Sequence, residues 1–117
     1  MRSHIESQIQ RNCVKWMRYQ HPEAIMFAVP NGGIRSKTEA SIMSGEGVLK
    51  GVADLFIMYP SGQFHGLFIE IKSEKGRQTD YQRIFESNAV RAGYRYAVCR
   101  SVDEFINAVE KYLKPNI

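Results

Sequence analysis

The sequence has few cysteines, no long apolar run and no apolar leader, and each absence excludes a class of protein. Its two cysteines, Cys13 and Cys99, are far apart, and it contains neither a CxxC pair nor a cysteine–histidine zinc spacing. Both are predicted to be buried free thiols in a reducing compartment. No segment approaches the roughly 18 apolar residues that a membrane-spanning helix needs. Because residues 1–10 also lack the apolar core of a signal peptide, we expect a protein that is neither exported nor bound to a membrane.

The composition is that of an ordinary globular domain. Of the 117 residues, 44% are hydrophobic and 24% are charged, which excludes a disordered, collagen-like or low-complexity chain. The sequence has no internal repeat, linker or compositional break. We therefore expect residues 1–117 to form a single domain with one hydrophobic core.

Basic residues outnumber acidic ones by 16 to 12, so the formal net charge is +4. The basic residues are spread along the chain and are not collected in a tail, so a basic surface has to be assembled by folding. A moderate positive charge suits a polyanionic partner such as nucleic acid, but it does not require one.

Hydrophobic periodicity and helix-capping residues predict four helices and four strands in the order α-β-α-β-β-α-β-α. The helices are expected at residues 3–20, 36–44, 79–92 and 101–113, and the strands at 25–29, 54–59, 67–72 and 94–99. The short turn region between the second and third strands predicts an antiparallel hairpin. We expect an α/β fold in which a mixed sheet is flanked by helices on both faces, with the strands at 25–29 and 54–59 buried.

Three charged residues interrupt the two apolar strands of this hairpin. Asp54 begins one strand, and Glu70 and Lys72 lie near the end of the other. Residues two apart in a strand share a face, so Glu70 and Lys72 point the same way. A hairpin centred near Gly62 or Gln63 places Asp54 opposite a position between Glu70 and Lys72. The three charges should therefore lie together at one end of the sheet.

Two explanations account for such buried charges. A structural salt bridge between Lys72 and one carboxylate would leave the second carboxylate without a partner. Two neighbouring carboxylates repel each other unless one holds a proton or a cation lies between them. A hard divalent metal with carboxylate and backbone-carbonyl ligands satisfies this condition. The spacing by itself favours neither explanation.

The three residues also resemble the PD-(D/E)xK nuclease pattern, and longer matches surround them. The segment 50–55 (KGVADL) resembles the G-V-x-D-L element of the virus-type replication-repair nuclease family, VRR-NUC, and the segment 70–72 (EIK) resembles its catalytic strand. Gly76 followed by Gln82 resembles its G…Q element, and the segment 30–33 (PNGG) its P-N-G loop.

The resemblance runs from about residue 3 to residue 113 and includes Glu6, which is similar to the glutamate of the family's first helix. One departure is Ala53, where the family commonly has proline. The sequence resembles the stand-alone form of phages and bacteria, so the flanking domains of eukaryotic members are not expected. The resemblance therefore implies a restriction-endonuclease-like fold and a cytoplasmic enzyme of a bacterial or phage-infected cell.

The family resemblance implies a metal-dependent DNA endonuclease that uses Mg²⁺ or Mn²⁺. The implied metal ligands are Asp54, Glu70, Glu6 and the backbone carbonyl of Ile71. Lys72 would orient or deprotonate the attacking water, or hold the scissile phosphate.

The resemblance also places Gln82 close to the metal, as it does Glu6. Each of these two residues is the fourth residue of a helix-capping box, so a purely structural role stays open for both.

Polar and basic residues near these segments are expected to position DNA phosphates: Lys50, Asn31, Arg35, Lys75, Arg77 and Arg83. No recognition helix or RNP-type aromatic motif occurs, so recognition of DNA shape is expected. The resemblance to stand-alone members implies a homodimer that acts on branched DNA such as four-way junctions, with Phe64, Phe85 and Tyr94 as candidates for the pairing surface. The alternatives are a non-catalytic nucleic-acid-binding or assembly module on the same fold, and a nuclease that acts on RNA.

Overall fold

A computed structural model of the chain describes residues 3–30 and 36–114. The helices and strands follow the predicted order: α1 His4–Gln20, β1 Ile25–Ala28, α2 Lys37–Gly45, β2 Leu55–Met58, β3 Leu67–Ile71, α3 Asp80–Arg91, β4 Arg95–Cys99 and α4 Val102–Leu113. Each boundary lies within one residue of its expected position because the periodic apolar residues and the capping serines and threonine mark the ends. The predicted fold class is confirmed.

The four strands form one mixed sheet in the order β1-β2-β3-β4. Both β1–β2 and β2–β3 are antiparallel pairs, whereas β3 and β4 run parallel. Leu55 pairs with Ile69 and Ile57 pairs with Leu67, so the predicted hairpin is confirmed. Continued by one residue, this register places Asp54 opposite Glu70.

The main hydrophobic core lies on one face of the sheet, beneath α1 and α4. It contains buried side chains from β2, β3, β4 and both helices, among them Leu55, Ile69, Met17, Phe105 and Val109. The alternating direction of side chains along β2 and the 3.6-residue periodicity of the helices bring these side chains together.

The two cysteines belong to this core. Cys13 and Cys99 are both buried and free, as predicted. Burial raises the pKa of the Cys13 thiol and of the Cys99 thiol to about 12.

The opposite face of the sheet is covered by α3 over β3 and β4. There Phe85 of α3 packs edge to face against Phe68, with ring centroids 5.0 Å apart. Over β1 and β2 this face is largely open among the described residues, since Ile25 is 56% and Met58 51% exposed. The expectation that residues 25–29 form a buried strand is therefore wrong, and residues 54–59 are buried on one face only. A short apolar run does not reveal whether a helix covers it.

The second helix, α2, makes no contribution to the core. Ser36 caps its first turn by accepting a hydrogen bond from the Glu39 N–H, but none of its residues is buried. Within residues 3–30 and 36–114, no helix combines the length and the apolar character that a membrane crossing requires.

Candidate active site

The predicted catalytic residues lie at the end of the sheet where β2 begins and β3 ends. Asp54 directly precedes β2, Glu70 and Ile71 close β3, and Lys72 follows. The antiparallel register brings the two carboxylates to facing positions on neighbouring strands. The hairpin alone is thus sufficient to assemble this group.

Asp54 is held in place by the backbone of both neighbouring strands. Its Oδ2 accepts a hydrogen bond of 2.7 Å from the Ile71 N–H, and its carbonyl accepts one of 2.8 Å from the Val29 N–H. The half-buried carboxylate is therefore fixed beside the end of β3.

Glu70 is completely buried, with 0% of its surface exposed. Its Oε1 accepts hydrogen bonds from the Tyr96 hydroxyl and, at 3.2 Å, from Gln78 Nε2. Its Oε2 lies 3.6 Å from Lys72 Nζ and accepts no hydrogen bond from any residue that the structure describes. One oxygen of this carboxylate is therefore engaged by neutral donors, while the other retains capacity for a further ligand.

A small polar network surrounds Glu70 on the α3 side of the sheet. Gln78 Nε2 also donates to Glu86 Oε1, at 2.9 Å. Burial, followed by the hydrogen bond to Glu70, raises the pKa of Tyr96, so its hydroxyl stays protonated and remains a donor. The sequence reasoning did not find Tyr96 or Gln78. For Tyr96 the only signal was a phenolic hydroxyl among the apolar residues of β4, and Gln78 had no signal in the sequence.

Lys72 connects the buried carboxylate to the surface. It is 9% exposed, and its N–H donates to the Cys99 carbonyl at 3.0 Å, so its backbone continues the β3–β4 pairing. Its ammonium group is in an ion pair with Glu70. The lysine side chain also lines the cleft described below, which gives it access to a bound substrate.

Glu6 approaches the same place from α1. Its N–H donates a hydrogen bond of 3.0 Å to Ser3 Oγ. Its carboxylate reaches away from the helix, and Oε2 accepts a hydrogen bond of 3.1 Å from the Ser73 N–H. Gly76 leaves room for this contact, because a Cβ on Gly76 would lie 3.2 Å from Glu6 Oε2 and 3.4 Å from Lys72 Cδ. Glu6 is therefore a near neighbour of Lys72.

Gln82 uses its side chain differently. Its Oε1 accepts a hydrogen bond of 2.8 Å from the Thr79 N–H, and its backbone N–H donates one of 3.2 Å to Thr79 Oγ1. The two hydrogen bonds complete the capping box. Only the amide nitrogen of Gln82 remains for a substrate. Glu6 and Gln82 hold equivalent positions in their capping motifs, but only the Gln82 side chain bonds to the cap of its own helix, whereas the Glu6 carboxylate bonds to Ser73.

A cleft of about 980 Å³ opens over this end of the sheet, between α1, the end of β1 and the start of α3. The predicted site residues that line it are Glu6, Asp54, Ile71, Lys72 and Gln82. Glu70 lies beneath them, in contact with Lys72.

The oxygen atoms available as metal ligands at the floor of the cleft suit a hard divalent cation. Asp54 and Glu70 supply carboxylate oxygens on facing strand positions, Ile71 supplies a carbonyl, and Glu70 Oε2 is buried without a hydrogen-bond donor. In the described part of the chain, no three acidic, histidine or cysteine side chains form a group that could hold a metal, so Glu6 does not join the two carboxylates in such a cluster. Mg²⁺ usually takes only one or two carboxylates and keeps water or phosphate oxygens elsewhere.

Comparison with known proteins identifies the family. The VRR-NUC domain model matches residues 4–103. The chain belongs to the VRR-NUC family. One solved structure, described as a VRR_NUC domain protein, matches with a TM-score of 0.81 and 24% sequence identity. The match covers 97% of this chain and 92% of the other chain. A second solved structure, described as a VRR_NUC domain, matches with a TM-score of 0.64 and 18% sequence identity. That match covers 94% of this chain and 99% of the other chain.

No curated protein matches the chain. VRR-NUC is a family of nuclease domains, so the resemblance read from the sequence is confirmed at the level of family and fold. Ala53, the departure from the family pattern, is fully buried in a cluster with Ala89 and Tyr96, so that position serves packing.

The loop after β3 of this VRR-NUC domain is held by an arginine that the sequence reasoning missed. Arg100 Nη1 donates to the carbonyls of Ser73 at 2.8 Å, Gly76 at 2.6 Å and Glu74 at 3.3 Å. This fixes the loop whose Ser73 N–H binds Glu6. No local motif marks Arg100, because its partners lie on another part of the chain.

Of the predicted phosphate contacts of the VRR-NUC domain that the structure describes, Lys50 lies nearest the cleft. Asn31 and Arg35 lie outside the described residues. The ammonium of Lys50 lies 5.3 Å from the ring centroid of Tyr81, a residue of the cleft wall, so Lys50 is at the rim.

The other three predicted contacts, Lys75, Arg77 and Arg83, are exposed but do not line the cleft. Arg83 is engaged by the Asp80 carboxylate and donates to the Gln78 carbonyl at 2.8 Å.

Proposed function

We propose that this VRR-NUC domain hydrolyses phosphodiester bonds of DNA as a Mg²⁺- or Mn²⁺-dependent endonuclease. The observation that carries the proposal is the group formed by Asp54, Glu70 and Lys72 at the floor of the cleft. Burying a carboxylate and an ammonium is expensive and contributes little net stability. A domain that only bound nucleic acid would not need a second carboxylate opposite this pair.

Each residue of the group has a role in this reaction. A divalent ion bound by Asp54, Glu70 and the Ile71 carbonyl would acidify a water molecule and neutralise the phosphate. Lys72, held at the floor of the cleft by Glu70, would contact the scissile phosphate or the attacking water. Glu6 lies close enough to Lys72 to orient that water, and the free amide nitrogen of Gln82 would donate to a phosphate oxygen.

We also propose that the enzyme acts on branched DNA as a homodimer. The open sheet face of β1 and β2 supports this, because Ile25, Phe27 and Met58 expose apolar side chains on paired strands. A two-fold dimer presents two equivalent sites and so suits the symmetry of a four-way junction. Phe85 and Tyr94 are poorer candidates for the pairing surface, since both pack against Phe68.

The test compares the wild-type protein with Glu70→Ala on single strands, duplexes, flaps and four-way junctions, each made of DNA and of RNA. We expect cleavage of branched DNA with Mg²⁺ or Mn²⁺, no cleavage with EDTA, and loss of cleavage in Glu70→Ala. Glu46→Ala, which changes an exposed glutamate outside the cleft, is the matched control and should cleave normally.

Three results would refute the proposal. Binding without cleavage of any substrate would identify the non-catalytic module. Cleavage of RNA alone would identify a ribonuclease. Equal cleavage by Glu70→Ala would show that the assigned site is wrong.

A further inference from the structure

One wall of the cleft carries a row of basic residues that no motif accounts for. Arg11, Lys15 and Arg18 of α1 all line the cleft. Their spacings of four and three residues keep them within about 60° of one another around the helix axis. The row is therefore a continuous basic strip on the exposed side of α1, about 100° to 160° around the axis from the core residues Cys13 and Met17.

These three residues are available for a ligand. All three side chains are exposed, and none forms a salt bridge or a side-chain hydrogen bond with another described residue. By contrast, Arg83 is paired with Asp80 and Lys72 with Glu70. Uncompensated cations on a concave surface create a positive potential that attracts a polyanion.

The strip has a definite direction relative to the proposed catalytic group. At the N-terminal end of α1, Glu6 contacts Ser73 just after β3. Towards its C-terminal end, Arg18 lies against the region of Ala24 and Met26, at the start of β1. The strip therefore leads away from the catalytic end of the sheet along the β1 edge. The acidic residues of the cleft, Glu6 and Asp54, lie at the catalytic end. The negative charge of the cleft is therefore separated from the positive charge of the strip.

The length of the strip matches a short piece of nucleic-acid backbone. Seven residues of helix span about 10 Å, and one DNA strand carries a phosphate about every 3.4 Å of axis. Three cations over this distance correspond to about three successive phosphates.

We propose that Arg11, Lys15 and Arg18 bind the phosphates of the DNA strand on one side of the scissile bond. This inference rests on the proposed nuclease function and adds the surface that holds the substrate. It replaces Lys75, Arg77 and Arg83 as the main phosphate contacts.

The test uses the triple variant Arg11→Gln/Lys15→Gln/Arg18→Gln and a matched control, Arg91→Gln/Arg95→Gln/Lys111→Gln. The control residues are exposed and lie towards the opposite end of the sheet, where β3 and β4 begin, and both variants remove three positive charges. Binding to a labelled four-way junction and to a duplex is measured by fluorescence anisotropy with Ca²⁺ in place of Mg²⁺, over a range of salt concentrations.

We expect the α1 variant to bind on the order of 100-fold more weakly than wild type near 0.1 M salt, and its salt slope to fall by about 2 to 3. The control should stay close to wild type. If the triple variant fails to fold by circular dichroism, the single variants Lys15→Gln and Arg18→Gln should each lower the slope by about 0.7 to 0.9. Equal binding by the α1 variant and the control, whether both are strong or both weak, would overturn the inference.

A second measurement locates the contact on the DNA. Single phosphates around the cleavage position are replaced by neutral methylphosphonates. Wild type should lose affinity at about three successive positions on one side of that position, and the α1 variant should not. Uniform sensitivity of both proteins would overturn the inference. Because binding is measured without cleavage, failure of this inference is distinguishable from failure of the nuclease proposal, which appears as intact binding with no cleavage.

Discussion

The hydroxyl of Tyr96 donates a hydrogen bond to one oxygen of the buried Glu70 carboxylate, while the other oxygen lies 3.6 Å from Lys72 Nζ. The parallel pairing of β3 with β4 creates this relationship, because it places Tyr96 beside Phe68 on the face that Glu70 shares. The tyrosine thereby fixes the rotation of the carboxylate and directs its second oxygen to Lys72.

Tyr96→Phe should therefore weaken metal binding without removing a ligand. Loss of an outer hydrogen-bond partner typically lowers metal affinity about 10- to 100-fold. We expect this decrease in a Mn²⁺ titration followed by electron paramagnetic resonance, together with a higher Mg²⁺ requirement for cleavage. Tyr94→Phe removes a hydroxyl from a ring on the same strand region and is the control. An unchanged Mn²⁺ affinity in Tyr96→Phe would show that the hydrogen bond does not position Glu70.

Lys72→Met should destabilise the fold because it leaves the Glu70 carboxylate buried without its counter-ion. Breaking a buried ion pair on one side typically costs about 3 to 5 kcal/mol. The double variant Glu70→Leu/Lys72→Met removes both charges and should recover most of that loss. Urea unfolding followed by circular dichroism measures both. If the double variant is less stable than Lys72→Met, the pair is not the dominant electrostatic interaction here.

Glu6→Gln should reduce cleavage while preserving the fold. The Ser3 cap of α1 depends on the Glu6 N–H and survives the change, whereas the carboxylate beside Ser73 and Lys72 loses its charge. We expect cleavage to fall by about 100-fold or more, within the range of roughly 10²- to 10⁴-fold by which positioned acid–base groups contribute to catalysis. The midpoint of thermal unfolding should stay near the wild-type value. Full activity in Glu6→Gln would exclude a catalytic role.

Gly51→Ala tests the packing of the cleft rim against α3. Gly51 has a φ of +87°, and a Cβ there would lie 2.5 Å from the carbonyl carbon and oxygen of Tyr81. Gly47, with a φ of +100° and no atom within 4 Å of its Cβ position, is the matched control, so Gly47→Ala measures backbone strain alone. We expect Gly47→Ala to cost about 1 kcal/mol and Gly51→Ala clearly more. Equal unfolding free energies for the two variants would contradict the close approach.

Cys13 and Cys99 should be unreactive until the protein unfolds. Burial raises both thiol pKa values to about 12, and only the thiolate reacts. Because the folded pKa values exceed the unfolded value of about 8.5, the stability from these protonated thiols is complete below that pH and is lost as the pH rises towards 12. Labelling with a thiol reagent should follow urea unfolding. Rapid labelling of the native protein at neutral pH would contradict the buried placement.

Local chemistry in the sequence was enough for the elements and for the centre of the site. Capping residues and apolar periodicity marked the ends of α1, α3 and α4. The predicted hairpin placed Asp54 opposite a position between Glu70 and Lys72, and the observed register places it opposite Glu70. Charge in an apolar strand was a visible signal, since burying it requires a partner.

Long-range packing decided the remainder. Glu6 and Gln82 have the same spacing from their capping residues, but only the approach of the loop after β3 draws the Glu6 carboxylate away from its helix. Tyr96 and Arg100 act on residues more than twenty positions away, through the parallel pairing of β3 and β4.

The same distinction applies to surfaces. Helical spacing places Arg11, Lys15 and Arg18 on one face of α1, but only the packing of α1 along the sheet brings that face to the cleft. Likewise, the sequence identified β1 as a strand but did not show that it is exposed. It is exposed because α2 does not cover it. Periodicity reports which side chains point together, whereas the neighbour they meet depends on contacts between distant segments, which no local pattern encodes.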